Sequence, residues 1–235
     1  MRSRLGLNIQ ARISLAKQRA AIYNSHMPDS PLETLVVLDF ETSGISPDCG
    51  DRAIEVGAVK LRGGQVIERF QSLMNPGLRI NSFIESYTGI TNQMVQDAPP
   101  SAEVMRNFAG FVGSLPLVAH NASFDRRFLD AELDRIGLQR QQAFGCSMLA
   151  ARRVYPDAPN HKLETLVRYR ILRTDGTFHR ALADAEMTAH LWLAMIEDLR
   201  AHYGFALVPF TLMRNLASVP KSQVKRFLAQ QVQSK

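Results

Sequence analysis

A short apolar run near the start of the chain constrains the fold more than any other feature of the sequence. Residues 34–40, Thr-Leu-Val-Val-Leu-Asp-Phe, are almost all apolar or β-branched and lie between turn signals. Such a run is typical of a strand buried on both faces, which occurs where helices cover both sides of a sheet. The sequence therefore predicts an α/β protein with this segment as the central strand.

The segments that follow predict a mixed sheet flanked by helices. A tight turn at Gly63-Gly64 indicates an antiparallel hairpin, and two short apolar runs further on are each followed by a helical pattern. The expected strands are residues 53–61, 65–73, 116–119 and 142–146. A long final helix is expected from about Arg180 to about Tyr203. A strand meander followed by alternating helices and strands indicates a mixed-sheet α/β fold.

Size and composition exclude several classes of protein. The chain has 235 residues, of which 46% are apolar and 21% are charged, so it can bury one sizeable core. This apolar content argues against a wholly disordered chain, and no run approaches the length of a membrane span. Two distant cysteines, Cys49 and Cys146, exclude a disulfide scaffold and a structural zinc site. We expect a reducing, cytoplasmic location in a bacterium.

The charge is distributed unevenly along the chain. The net charge is +6, but residues 1–28 carry five basic groups without an acid, and the residues from Leu199 onward carry six. The middle of the chain is therefore acidic, with a net charge of −5. Basic ends suggest a polyanionic partner only where their charge lies close enough to act.

The same pattern suggests how the chain is divided. We expect a basic, helical N-terminal extension over residues 1–30, a single domain over residues 31–200 and a basic C-terminal extension over residues 201–235. Residues 1–25 have no apolar stretch with a cleavage site, so they are not a secretory signal. Their composition fits both an organellar transit peptide and an ordinary basic helix of a bacterial protein.

Four carboxylates and one histidine are placed where chemistry would be expected. Asp39 and Glu41 end the first strand and, being two residues apart, point to the same side. Two like charges held that close are costly unless a cation lies between them. Asp125 and Asp184 each lie near the start of a helix, and His179 precedes the second of these helices. Oxygen ligands of this kind predict a site for Mg²⁺ or Mn²⁺.

Three motifs in this order resemble those of a known family. The segments are Asp39-Phe-Glu-Thr-Ser-Gly44, His120-Asn-Ala-Ser-Phe-Asp125 and His179-Arg-Ala-Leu-Ala-Asp184-Ala. They resemble the exonuclease motifs of the DEDDh (DnaQ-like) 3′ to 5′ exonucleases, particularly the proofreading epsilon subunits of bacterial DNA polymerase III. Tyr87-Thr-Gly-Ile-Thr91 is similar to a further segment of that group. The resemblance covers roughly residues 34–198 and implies a ribonuclease H-like mixed β-sheet flanked by helices.

The resemblance also implies roles for individual residues. Asp39, Glu41 and Asp184 would be ligands of the more tightly held of two divalent cations, and Asp39 with Asp125 would hold the second, partly through water. His179 would be the general base. Hydrolysis of a phosphodiester needs a deprotonated water and a neutralised leaving oxygen, and two metal ions about 4 Å apart supply both. An imidazole titrates in the range needed to accept that proton.

The resemblance also predicts how substrate is held. The neighbourhood of Phe40 and Thr42 would bind the terminal nucleotide, with Glu41 near the 3′ hydroxyl. Two positions depart from the family pattern: Ser43 stands where a second threonine is more common, and Thr88 stands where the polymerase proofreaders have a histidine. Contacts to nucleotide at these positions are therefore not carried over.

These observations predict a metal-dependent 3′ to 5′ exonuclease. Its expected substrate is the 3′ end of single-stranded DNA, from which it would release nucleoside monophosphates in repair or proofreading. An exoribonuclease of the ribonuclease T or oligoribonuclease type is an alternative, because the motifs do not distinguish the sugars. A non-catalytic, polymerase-associated binding module is an alternative of another class.

Basic groups outside the motifs suggest where partners bind. Residues 218–228 have the pattern of a basic amphipathic helix, and Gln223 with Phe227-Leu228 is loosely similar to a sliding-clamp peptide. A polymerase, a clamp or nucleic acid could therefore contact the C-terminal extension. The pairs Arg126-Arg127 and Arg152-Arg153 fit either phosphate contacts or solvated helix faces.

Overall fold

The structure is a computed structural model that describes residues 33–172 and 179–233. The expected N-terminal extension over residues 1–30 lies outside the described residues. Among the helices of the described part, none combines the length and the apolar character needed to cross a membrane.

Five strands form one mixed sheet. The strands are β1 (Thr34–Thr42), β2 (Ala53–Arg62), β3 (Gln65–Leu73), β4 (Leu117–Ala119) and β5 (Phe144–Cys146). Their order across the sheet is β3-β2-β1-β4-β5, so the first strand is central as its sequence predicts. β1 pairs antiparallel with β2 and parallel with β4, and β4 pairs parallel with β5. The carboxyl ends of β1, β4 and β5 therefore lie along the same edge of the sheet.

Helices cover both faces of this sheet. They are α1 (Ser82–Thr88), α2 (Asn92–Asp97), α3 (Ser101–Val112), α4 (Ser123–Asp134), α5 (Ser147–Val154), α6 (Leu163–Tyr169), α7 (Ala181–Tyr203), α8 (Phe210–Ser218) and α9 (Val224–Gln233). Alternate residues of β1 enter two different cores: Leu35 and Val37 pack with α7 and α8, whereas Val36 and Leu38 pack with α3 and α4. The strand is buried on both faces for this reason, as expected from its composition.

The second strand is more buried than its alternating sequence suggests. Residues 53–59 are all buried. Ala53, Val56 and Ala58 belong to the core beneath α3, and Val59 belongs to the core beneath α7. The expected hairpin with β3 is present, with Lys60 paired to Glu68 across it. Both faces of β2 therefore pack against helices, and one of these helices is α7.

The two helices beyond residue 204 pack on the larger core. Phe210, Met213 and Leu216 of α8 and Leu228 of α9 are buried with Trp192 of α7. Glu33, just before β1, also accepts a hydrogen bond from the backbone N–H of Phe210 at 2.6 Å. The described part of the predicted C-terminal extension therefore contributes apolar side chains to the core, while its basic groups remain on the surface.

Candidate active site

Three carboxylates meet at the carboxyl end of the central strand. Asp39 and Glu41 come from β1, and Asp184 comes from the first turn of α7. One oxygen of each lies within 4.8 Å of the others. The strand places Asp39 and Glu41 on the face that α7 covers, because residues two apart in a strand share a face. The structure thus brings together three of the residues that the sequence singles out.

Asp125 joins this group from helix α4. Its carboxylate oxygen Oδ1 accepts a hydrogen bond from the backbone N–H of Phe40 at 3.2 Å, and the residue is 2% exposed. This bond ties the first turn of α4 to the strand between Asp39 and Glu41. We refer to Asp39, Glu41, Asp125 and Asp184 as the carboxylate cluster.

The cluster is electrostatically unfavourable without a cation. Burial, followed by the neighbouring carboxylates, raises the pKa of Asp39 well above its usual range and that of Glu41 to about 8. Burial also raises the pKa of Asp125 to about 7 and that of Asp184 to about 6. Arg180 opposes only part of this effect on Glu41. Buried oxygen donors without a compensating charge fit a divalent cation such as Mg²⁺ or Mn²⁺.

An ion pair between partly exposed Arg180 and a buried carboxylate holds the start of α7 beside the cluster. Glu55, on β2 opposite Glu41, is fully buried, and its two carboxylate oxygens accept bonds from the Arg180 guanidinium at 2.9 and 3.2 Å. The same carboxylate accepts from the backbone N–H of Ala181 at 3.2 Å and from Gln71 at 2.9 Å. Sequence reasoning missed Glu55 and Arg180, although an acid within the apolar run of residues 53–59 is a usable signal.

A glycine on the same strand lets the helix approach closely. Gly57 pairs with Asp39 across the sheet, and a Cβ atom there would lie 2.1 Å from the backbone nitrogen of Leu182. Real Cβ atoms essentially never come so close to another atom. A glycine inside a strand often marks such an approach of two backbones. Gly57 therefore allows α7 to bring Asp184 to the two carboxylates of β1.

His179 lies at the edge of the site rather than in the group of possible metal ligands. Its backbone N–H donates to Asp184 Oδ2 at 2.9 Å, and its backbone is in the left-handed region with φ 62°. The residue is exposed, and its ring lies against Tyr87 with 4.2 Å between ring centroids. This placement leaves the imidazole accessible to solvent next to the carboxylates.

Two exposed aromatic rings border the site. Phe83 and Tyr87 of α1 are 71% and 52% exposed, and their rings stack with centroids 5.9 Å apart. Burial, with smaller contributions from Glu41 and Asp184, raises the pKa of Tyr87, which places its ring near the cluster. The neighbouring Thr88 is buried and donates its hydroxyl to the carbonyl of Ile84 at 2.9 Å. The Thr88 hydroxyl is thus engaged within its own helix.

Phe40 and Thr42, the two residues expected to hold the terminal nucleotide, have different surroundings. The ring of Phe40 is buried on the face opposite the cluster, where it packs edge-on against Phe108. Any contact of Phe40 with nucleotide would therefore involve its backbone. Thr42 is buried at the end of β1, and its hydroxyl donates to the carbonyl of Gly44 at 2.6 Å. That bond shapes the loop beside the site.

His120 of the second motif supports the site without lining the cluster. Its Nδ1 lies 2.9 Å from the hydroxyl of Ser147, and its Nε2 lies 2.9 Å from the carbonyl of His161. Burial lowers the pKa of His120 to about 4, so the ring is neutral near pH 7. It thereby connects the end of β4 to the start of α5 and to the loop before α6. This agrees with the hydrogen-bonding role typical of such a residue.

A comparison with protein families assigns the chain that carries this site to a family. A family model named RNase_T and described as Exonuclease matches residues 36–192, which include the whole carboxylate cluster. The chain belongs to this exonuclease family. The DEDDh resemblance carried by its three motifs is confirmed.

Two bacterial exonuclease-family relatives have substantial sequence identity. The "DNA polymerase III PolC-type" of Bacillus subtilis (strain 168) is 41% identical over 170 residues, which cover 71% of this chain and 12% of the relative. The "3′-5′ exonuclease DinG" of the same organism is 38% identical over 172 residues, which cover 72% of this chain and 18% of the relative. The matched region thus spans about an eighth of the PolC-type relative's length.

Solved structures of exonucleases share the fold. A structure titled "Exonuclease X in complex with 5′ overhanging duplex DNA" matches with a TM-score of 0.62 and 26% identity, covering 78% of this chain and 99% of that one. The predicted ribonuclease H-like mixed sheet with flanking helices is therefore confirmed.

Proposed function

We propose that this exonuclease-family chain removes nucleotides from the 3′ end of single-stranded DNA and releases nucleoside monophosphates, in repair or proofreading. The observation that carries the proposal is the convergence of Asp39, Glu41 and Asp184 within 4.8 Å, with Asp125 bonded to the same strand. Four carboxylates from three separate elements form a site suited to divalent cations and phosphate chemistry.

The carboxylate cluster has enough oxygen ligands to hold two divalent cations, Mg²⁺ or Mn²⁺. Asp39, Glu41 and Asp184 would hold one ion, and Asp39 with Asp125 would hold the other. Bound cations would lower the pKa of the attacking water and would neutralise the charge that develops on the leaving oxygen. The Phe40 N–H keeps Asp125 oriented, and the Glu55 carboxylate keeps the start of α7 in place through Arg180.

His179 is the proposed general base. Its imidazole is exposed beside the cluster. The hydrogen bond from its backbone N–H to Asp184 fixes the position of its backbone. An imidazole accepts a proton from attacking water near neutral pH and later returns it to solvent. The contact with Tyr87 restricts the ring on one side.

The exposed rings of Phe83 and Tyr87 support a nucleic-acid substrate. Bases of single strands stack on aromatic side chains with little dependence on sequence. The PolC-type relative favours DNA because its name is that of a DNA polymerase, and the second relative, named a 3′-5′ exonuclease, supports removal from the 3′ end. Association with a polymerase is a further proposal, because the PolC-type relative carries the matched region within a much longer chain.

End-labelled oligonucleotides test the proposal directly. With Mg²⁺ or Mn²⁺, the protein should progressively shorten 5′-labelled DNA, release the label of 3′-labelled DNA as a mononucleotide, and stop when the metal is chelated. RNA of the same sequence should be degraded more slowly. Faster degradation of RNA would instead favour the exoribonuclease alternative.

A matched pair of variants ties the activity to the site. Asp39→Ala should reduce hydrolysis to background because it removes a carboxylate shared by both proposed ions. Asp48→Ala removes the same charge from an exposed position in the following loop and should leave hydrolysis unchanged. Failure to shorten either polymer, or equal rates for Asp39→Ala and the unchanged protein, would overturn the proposed function.

A further inference from the structure

Two adjoining pockets lie beside the second motif. One pocket, of about 420 Å³, lies between residues 121–123, the end of β5 and helix α8. The other, of about 580 Å³, lies between α8 and α9. Asn215 and Ser218 line both pockets, so the two adjoin. We refer to this surface as the α8–α9 groove.

The groove is positively charged and its arginines are unpaired. Arg126, Arg214 and Arg226 line it, and no acidic residue is among the described residues of its walls. All three are exposed, and none of their guanidinium groups forms an ion pair or hydrogen bond within the described part of the chain. By contrast, Arg52 and Arg140 are bound to carboxylates elsewhere in the structure. Free guanidinium groups match the geometry of phosphate oxygens.

The position of the groove connects it with the carboxylate cluster. The carboxyl ends of β1, β4 and β5 lie along one edge of the sheet, with the cluster at β1 and the groove beyond β4 and β5. Ser123 lines the groove and shares the first turn of α4 with Asp125. A chain leaving the cluster along this edge therefore enters the groove directly.

We propose that the α8–α9 groove binds the phosphate backbone of a single-stranded nucleic acid, on the 5′ side of the terminal nucleotide held at the cluster. The inference deepens the proposed exonuclease function and rests on it. The three arginines supply attraction that the acidic cluster lacks, and they lie on helices α4, α8 and α9. Because α8 and α9 pack on the core, the helix positions from which Arg214 and Arg226 project are fixed.

Binding of a labelled oligonucleotide tests the groove independently of hydrolysis. Fluorescence anisotropy in EDTA would compare the unchanged protein with the triple variant Arg126→Gln, Arg214→Gln, Arg226→Gln, using single-stranded DNA of about 20 nucleotides. Loss of three phosphate contacts should reduce the slope of log K against log salt by about 2 and weaken binding at least tenfold near 0.1 M salt. With metal, turnover of a dinucleotide should be unchanged, whereas the KM for the long strand should rise.

A second triple variant controls for net charge. Arg200→Gln, Lys221→Gln, Lys225→Gln removes three exposed basic groups from α7 and the α8–α9 segment that do not line the groove. It should retain the affinity and salt slope of the unchanged protein. Equal weakening by both triple variants would mean that total charge rather than the groove binds the strand, which would overturn the inference.

The outcomes also separate the groove from the proposed function. Equal affinity of the groove variant and the unchanged protein, with hydrolysis intact, would overturn the groove and leave the exonuclease. Loss of binding to a polymerase or clamp, with oligonucleotide affinity intact, would likewise overturn it and assign the groove to a protein partner. Selective loss of oligonucleotide binding in a protein that hydrolyses neither DNA nor RNA would support the groove and refute the proposed function.

Discussion

Replacing Gly57 with alanine should disrupt the candidate site without changing any proposed ligand. A Cβ atom at this position would lie 2.1 Å from the backbone nitrogen of Leu182 and 2.2 Å from the carbonyl carbon of Ala181. Both are main-chain atoms at the start of α7, so no side-chain rotation can relieve the overlap. The strand itself is held on both sides by β1 and β3. The start of the helix is therefore expected to move.

The size of the effect follows from these distances. Ordinary van der Waals contact begins near 3.4 Å, so the start of α7 must retreat by more than 1 Å. Overpacking of this kind costs about 1–3 kcal/mol, which corresponds to a fall in Tm of about 2–12 °C for a chain of this length. Asp184 lies on the displaced turn, and an error of about 1 Å in a catalytic group lowers rates about a hundredfold.

Three measurements would test the prediction for Gly57→Ala. Oligonucleotide hydrolysis should give a much lower kcat, calorimetry should give weaker Mn²⁺ binding, and thermal unfolding should give a lower Tm. Gly110→Ala is the matched control, because a Cβ atom on that α3 residue meets nothing within 4 Å. It should be neutral or stabilise the helix by up to about 1 kcal/mol. Unchanged Mn²⁺ affinity and kcat in Gly57→Ala would refute the account of how α7 is positioned.

Three further predictions concern the histidine, the ion pair and the carboxylate cluster. His179→Ala should lower kcat by about 10²–10⁴-fold because the proton acceptor is lost, while Mn²⁺ titration should show that metal binding survives; loss of the metal would instead make His179 a ligand. Arg180→Leu should lower the free energy of unfolding by about 2 kcal/mol, measured with urea, since it leaves buried Glu55 without its cation. The corresponding surface change Arg69→Leu, which breaks the pair with Glu186, should cost less than about 1 kcal/mol, and equal costs would contradict the assigned role. Because the folded pKa values of the cluster are raised, the contribution of the cluster to metal-free stability should be largest below about pH 4 and should fall as the pH rises towards about 8. Mn²⁺ should therefore raise the Tm more at pH 8 than at pH 5, and an equal rise at both would argue against coupled carboxylates.

Much of the site could be predicted from short-range pattern. The apolar run of residues 34–40 specifies a central strand because few other structures bury so many β-branched residues together. The period of a strand then places Asp39 and Glu41 on one face, and residues after parallel strands meet at one sheet edge. The proximity of Asp39, Glu41 and Asp125 follows from these two rules, whereas Asp184 could be assigned to the same site only from its motif.

The supporting residues could not be predicted in the same way because they act through contacts between distant segments. Glu55 and Arg180 are 125 residues apart, and nothing local indicates that they pair. The role of Gly57 depends on how closely α7 crosses β2, which is a property of the packed cores. The burial of Phe40 follows from the alternation of side chains along the strand. The resemblance alone does not indicate whether the ring or the backbone of Phe40 would contact a nucleotide.

The charge distribution gains a structural meaning from the packing of α8 and α9. An acidic centre repels the polyanion that it is proposed to cut, and cations bound by four carboxylates offset this only at the scissile bond. Attraction for the rest of the strand has to come from side chains at other positions. Arg214 and Arg226 supply such charge from helices whose opposite faces are buried in the core, so the spacing between basic groove and acidic cluster is fixed by packing. A basic end that packs in this way would position the proposed substrate as well as attract it.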